Sequence, residues 1–210
     1  MKELFSRKKW RYLFYTCSHP SDGYYWIRHQ EKGSVPIALL MVGLFSLSFS
    51  LNRMYASFVV NPVNPQTVNS LTEFFGVLAL FLILCVGNWS ITCLMDGEGR
   101  FKDIVIAVGY AMLPLIAAFA LATVVSQSVA ENEEAFYTLI LVAGIAYAAV
   151  MMLIGIMQVH NYTLGKTLGT LFLTLLAVFI IIFLIMLVFN FISLVIIFFE
   201  SIYTELIFRS

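Results

Sequence analysis

Residues 96–114 read DGEGRFKDIVIAVGYAMLP. Asp96, Glu98, Arg100, Lys102 and Asp103 crowd its first half, with Gly97 and Gly99 between them. The second half carries no charge and contains Tyr110 and Pro114. The pattern predicts a tight polar turn that enters an apolar helix. Gly97 and Gly99 are expected to supply the backbone angles of the turn. Phe101 is expected to dip into an interface, and Asp103 to cap the helix by accepting from free backbone N–H groups. Pro114 cannot donate to the carbonyl near Tyr110, so it predicts a kink, with a static kink favoured over a hinge.

Composition says what surrounds this stretch. Hydrophobic residues are 61% of the chain and charged ones 11%, with mean hydropathy +0.93. A soluble domain carries about 25% charged residues, so lipid is the expected solvent. Net charge is +0 at pH 7, and no nucleic-acid partner is expected. Cys17, Cys85 and Cys93 form no CxxC pair and are expected to be small buried thiols, not a disulfide framework.

Five apolar runs follow a polar lead: residues 35–51, 71–95, 104–125, 136–159 and 167–199. A bilayer core of ~30 Å takes about 20 helical residues. The first run is marginal and the next three are ample. The fifth is long enough for ~50 Å of helix at ~1.5 Å per residue, more than one span and less than two. One span to about Phe189 is expected, with Asn190 marking a bend or exit and an interfacial or tilted helix beyond. Gly165 and Gly169 form a GxxxG spacing that permits close helix approach. The fold class is therefore all-α: a polytopic membrane protein with five transmembrane helices. Residues 33–210 form this unit, and residues 1–32 precede it.

The lead alternates basic and aromatic residues: Lys8, Lys9, Trp10, Arg11, Tyr12, Phe14 and Tyr15, then Tyr24, Tyr25 and Trp26. That mixture suits an amphipathic segment at lipid headgroups. Ser21 or Asp22 is expected to cap a short helix running to about Lys32. The lead is too long and lacks the small-residue cleavage site of a signal peptide. Of the 12 Lys and Arg residues, Lys2, Arg7, Lys8, Lys9, Arg11, Arg28, Lys32, Arg100, Lys102 and Lys166 share one side, and only Arg53 and Arg209 the other. Basic residues stay inside, which predicts a cytoplasmic N-terminus and an outside C-terminus.

The spans offer little chemistry. Four of the runs lack any Asp, Glu, Lys or Arg, and the second has only Glu73, near its outer end. Ion-coupled transporters hold ionisable groups at mid-membrane, so that class is disfavoured. Asn88, Ser90, Thr92, Ser126, Gln158 and Asn190 are expected to hydrogen-bond between helices, at about 0.6 kcal/mol each. Asp96 and Glu98, with His160 and His19 on the same side, raise a metal or acid/base possibility. No HExxH, P-loop or GxSxG pattern accompanies them, and solvated turn charges are the expected role. Catalytic residues, cofactor and metal are expected to be absent. Asn88–Ser90 and Asn161–Thr163 match the glycosylation pattern, but one lies in a span and the other on the inner side.

Three motifs in order point further: His19–Pro20 in the lead, GEGRFKDIVIAVGYAMLP over residues 97–114, and IMQVHNYTLGKTL over residues 156–168. Across roughly residues 18–199 the chain resembles the Yip domain family of Ypt/Rab-interacting membrane proteins, and looks most like its bacterial branch. The resemblance implies a small non-enzymatic helical membrane protein in a plasma membrane, often alongside transporter components. Eukaryotic members bind membrane-associated GTPases through a long N-terminal region. Only about 32 residues precede the first span here, so a GTPase partner is not carried over.

Two functions are weighed ahead of a third, an intramembrane enzyme, for which no nucleophile–base or metal set is present. One is an accessory or scaffold protein docking on another membrane complex, such as an ABC-type solute transporter, as a homo- or hetero-oligomer. The other is a solute or lipid transporter, or a lipid-handling protein, in its own right. For docking, the candidate residues are Asp96, Gly97, Glu98, Gly99, Arg100, Lys102, Tyr110, Pro114, His160, Tyr162 and Lys166.

Overall fold

The computed structural model describes residues 6–209, apart from the side chains of Glu131 and Arg209. Lys2 and Arg209, used in the charge count, thus fall wholly or by side chain outside the described residues.

Two short helices lead, α1 (Arg7–Ser18) and α2 (Pro20–Gln30). α2 begins at Pro20, two or three residues ahead of the start that a Ser21 or Asp22 cap would give. His19 takes the cap position without a side-chain bond, and Pro20 occupies the first turn, where its missing N–H has no intrahelical partner to lose. The helix stops at Gln30 because Glu31 turns left-handed (φ 50°).

Five segments are long and apolar enough to cross a membrane. They are α3 (Val35–Tyr55), α4 (Ser70–Leu94), α5 with α6 (Phe101–Tyr110 and Met112–Ser126), α7 (Glu134–His160) and α8 (Leu164–Arg209). Among the described residues every regular element is helical. α4 starts where Asn69 Oδ1 accepts from the N–H groups of Leu71 and Thr72. The third span breaks at Ala111, three residues before Pro114, where the helix loses a donor.

That broken span is the core. Half of its apolar window is buried (50%), against 6% for α8. All of α5 from Asp103 to Tyr110 is buried. α5 packs on α3 and α7, α6 on α7 and α3, while α8 lies outside against α4 and α7. Small residues set the close approaches. A Cβ placed on Gly109 would come 2.6 Å from that of Ala38, and Gly144 abuts Ala118. Gly165 and Gly169, by contrast, face open space, so the GxxxG spacing packs nothing within the chain.

Polar links tie the spans together. Asn88 donates to Thr174 Oγ1 (3.1 Å) between α4 and α8, and Asn52 to Thr123 Oγ1 (2.9 Å) between α3 and α6. Tyr137 of α7 donates to Asn52 Oδ1 (2.9 Å). At the end away from the N-terminus, Glu73 takes both Arg53 and Ser50. Thr92, however, bonds its own helix, and Ser90 is exposed.

Two further expectations are corrected. α8 is not interrupted at Asn190. It runs unbroken for 46 residues, ~69 Å at ~1.5 Å per residue. The Asn190 amide donates to the Met186 carbonyl one turn back (2.9 Å), which satisfies it inside the helix. Among the cysteines only Cys85 is buried, while Cys93 is exposed and Cys17 half-buried.

Candidate docking surface

The DGEGRFKD segment lies at the end of the bundle that carries α2. α4 ends at Leu94, and Gly97 N–H closes the turn on the Thr92 carbonyl (2.7 Å). The left-handed residue is Asp96 (φ 53°), and no glycine in the described residues has positive φ. Asp is one of the few side chains that tolerate this conformation. The role expected of Gly97 and Gly99 is therefore corrected: they are demanded by close approach. A Cβ on Gly97 would lie 2.6 Å from His160 Nδ1 and 2.7 Å from the Thr92 carbonyl. One on Gly99 would lie 2.5 Å from Val159 Cγ1 and 2.7 Å from His160 Cε1.

The neighbour that presses on both glycines is the end of α7. Asn161 turns left-handed (φ 54°), and Tyr162 N–H returns to the Met157 carbonyl (3.0 Å), which is how a helix closes its last carbonyls. This turn stacks His160 on Tyr162 with ring centres 5.3 Å apart. His160 Nδ1 accepts from Gly99 N–H (3.2 Å), and Tyr162 donates to the Met95 carbonyl (3.0 Å). Burial also raises the Tyr162 hydroxyl above its ordinary pKa. Lys166 Nζ covers the Tyr162 ring at 4.5 Å.

α2 supplies the other wall. Arg28 donates to the Val159 carbonyl (2.7 Å) and to Glu98 Oε2 (2.7 Å), placing a cation at the negative end of α7. Glu31 receives both Arg100 (2.8 Å) and Lys102 (2.7 Å). Hydrogen bonds from Lys102, then Arg100, hold its carboxyl below the usual glutamate range. Arg100 also pairs with Asp103 (2.8 Å), which holds the guanidinium above its ordinary value. The α5 cap position belongs to Arg100, without a side-chain bond. The expected Asp103 cap is corrected to a buried ion-pair partner. Phe101 meets Trp89 edge-on, with centres 5.9 Å apart.

The docking candidates separate on this geometry. Asp96, Glu98, Arg100 and Lys102 are exposed, with Gly97, Gly99 and Lys166 half-buried beside them. Tyr110, His160 and Tyr162 are buried and so support the rim without presenting it. The Tyr110 hydroxyl accepts from Ser34 N–H (3.1 Å), fixing the entry to α3. Pro114 lies about four helical turns from Arg100, ~21 Å along the span, and belongs to the interior. Arg28 and Glu31 are the rim residues that the motif missed. Their only sequence signal is charge in the last turn of a short helix at the same end. Among the described residues no group of three or more His, Cys, Asp or Glu is placed to hold a metal.

A helical bundle with five apolar spans, polar residues hydrogen-bonded between helices and charges confined to its ends defines a multi-pass integral membrane protein. Within that class the chain belongs to the Yip1 domain family, which matches residues 14–200. No curated protein and no solved structure matches it.

Proposed function

We propose that the chain is a non-enzymatic accessory or scaffold protein that associates with another integral membrane complex. The observation that carries this reading is the ion-paired rim. Arg28, Glu31, Glu98, Arg100 and Lys102 join the end of α2 to the turn before α5 and to the first turn of α5, and Gly97 and Gly99 seat that turn on α7. Every acidic and basic group there except Asp96 serves another rim group, so the assembly makes a fixed charged surface. His160 Nδ1 is likewise used by Gly99 N–H.

The rim faces the cytoplasm together with the N-terminus, and the C-terminus lies outside. The bias of Lys and Arg toward the rim end supports this. The membrane is a bacterial plasma membrane, and the partner is a complex such as a solute transporter. Both are part of the proposal and rest on the resemblance of residues 97–114 and 156–168 to bacterial members.

Purification in mild detergent tests the reading. One membrane complex should be recovered in fixed stoichiometry and lost on charge reversal of two exposed rim residues with separate partners, Glu98→Lys with Lys102→Glu. A second reading has its own observation. An apolar cleft of 340 Å³ opens between α3, α6 and α7, lined by Phe45, Phe49, Phe119, Ile145 and neighbours. It suits an acyl chain, so lipid handling is the alternative. A clean homo-oligomer that moves lipid in liposomes would decide for that and against the scaffold.

A further inference from the structure

The lead helices carry a feature that the rim does not use. A cleft of 460 Å³ between α1 and the end of α2 is lined by Lys8, Arg11, Tyr12, Tyr15, Trp26 and Lys32. A second hollow of 360 Å³ shares Lys8, Tyr12 and Lys32 and adds Lys9. The walls thus hold four cations and no carboxylate. Lys9 is used internally, donating to the Gly33 carbonyl (3.1 Å). Among the described residues no carboxylate pairs with Lys8, Arg11 or Lys32. Lys32 is held in place by rings, 4.8 Å from the centre of Trp26 and 5.7 Å from that of Tyr12. Such contacts orient an ammonium without neutralising it. Tyr12 is itself fixed by donating to the Gly23 carbonyl (2.8 Å).

The location selects the ligand. Lys32 precedes the first residue of α3, Val35, by three positions, so the cleft lies where the chain enters the bilayer. Trp and Tyr favour that depth, and so do the phosphates of lipid headgroups. A concave, unneutralised cationic surface with an aromatic floor at headgroup level complements a phosphodiester whose glycerol can rest on the rings. We infer that this cleft binds the headgroup of an anionic glycerophospholipid, with Lys8, Arg11 and Lys32 as its cationic contacts. This inference is independent of the docking rim.

The test uses the full chain in mild-detergent micelles and native mass spectrometry. Short-chain phosphatidylglycerol, phosphatidylcholine of the same chain length and inorganic phosphate are titrated separately and in competition. Phosphatidylglycerol should bind as a saturable adduct, and phosphatidylcholine at equal concentration should not. The triple variant K8Q/R11Q/K32Q should weaken phosphatidylglycerol binding about tenfold or more, since each cation near a lipid surface contributes independently. The charge-conserving K8R/K32R should bind like the parent. Should the triple variant lose its melting transition, K8E alone, at an exposed position, reads the same sign. Equal binding of the two lipids, or undiminished binding by the charge-removed variants, would overturn the inference. So would displacement by inorganic phosphate at equimolar concentration, which would make this a soluble-anion site.

Discussion

Gly99→Ala is the sharpest probe of how the rim is built. The new methyl would start 2.5 Å from Val159 Cγ1 and 2.7 Å from His160 Cε1. Neither neighbour is free to yield. The Val159 carbonyl is held by Arg28, and the His160 ring is the acceptor for Gly99's own N–H. Overpacking costs about 1–3 kcal/mol. If the ring moves aside, the hydrogen bond goes with it, at about 1 kcal/mol. Restricting the unfolded chain returns about 0.4–1 kcal/mol, because φ here is not positive. The net loss is about 2 kcal/mol, a fall of about 4–8 °C in melting temperature for a chain of this size. The assay is thermal unfolding of purified protein in detergent, with Gly169→Ala as reference. Gly169 lies inside α8 with nothing near its missing Cβ, so that variant should be unchanged or stabilised by up to about 1 kcal/mol. If Gly99→Ala melted with the parent, or Gly169→Ala fell as far, the close-approach argument would be refuted.

Arg28→Ala should destabilise by about 1–2 kcal/mol, because it frees the Val159 carbonyl as well as Glu98, whereas Glu98→Ala should cost under about 1 kcal/mol at its exposed site. The same melting assay compares them, and equal losses would mean that the α7 contact contributes nothing. Glu31 has a depressed carboxyl, so its stabilisation is complete above the ordinary glutamate pKa, about 4.3. It is lost as pH falls through the lower native value. Melting temperature against pH should therefore drop on the acid side for the parent and be flatter there for Glu31→Gln. Identical acid limbs would contradict the pairing. Asn88→Val and Thr174→Val should be coupled in a double-mutant cycle by about 0.6 kcal/mol, the average for such bonds between spans, and zero coupling would remove the α4–α8 link.

The five spans were legible because apolar length alone decides whether a helix can cross lipid, and the boundaries of the first four moved by only a few residues, while the fifth helix runs on to Arg209. Pro114 was legible for a similar local reason: a missing N–H in a helix interior removes a bond that a first-turn proline such as Pro20 never had. The rim was half legible. Its motif showed in residues 96–103, but Glu31 meets Arg100 and Lys102 only through the tertiary approach of α2, which no spacing encodes. Gly97 and Gly99 were misread for a related reason. A glycine between charges looks like turn chemistry, yet Asp96 takes the unusual angle and the glycines make room for His160. Asn190 misled in the opposite direction, because a polar side chain that bonds its own turn leaves the helix intact. Tyr110, His160 and Tyr162 could be picked out by motif, but whether they face outward or inward is a property of the packed bundle.

The central claim, that the ion-paired rim is a docking face for another membrane complex, is tested most directly by photo-crosslinking in intact cells. A photoreactive residue replaces Lys102 on the rim in one variant and Asn64, in the connection before α4 at the opposite end, in another. The account predicts one discrete crosslink from position 102 to another integral membrane protein, and none to that protein from position 64. No crosslink at position 102, or the same products from both positions, would contradict it.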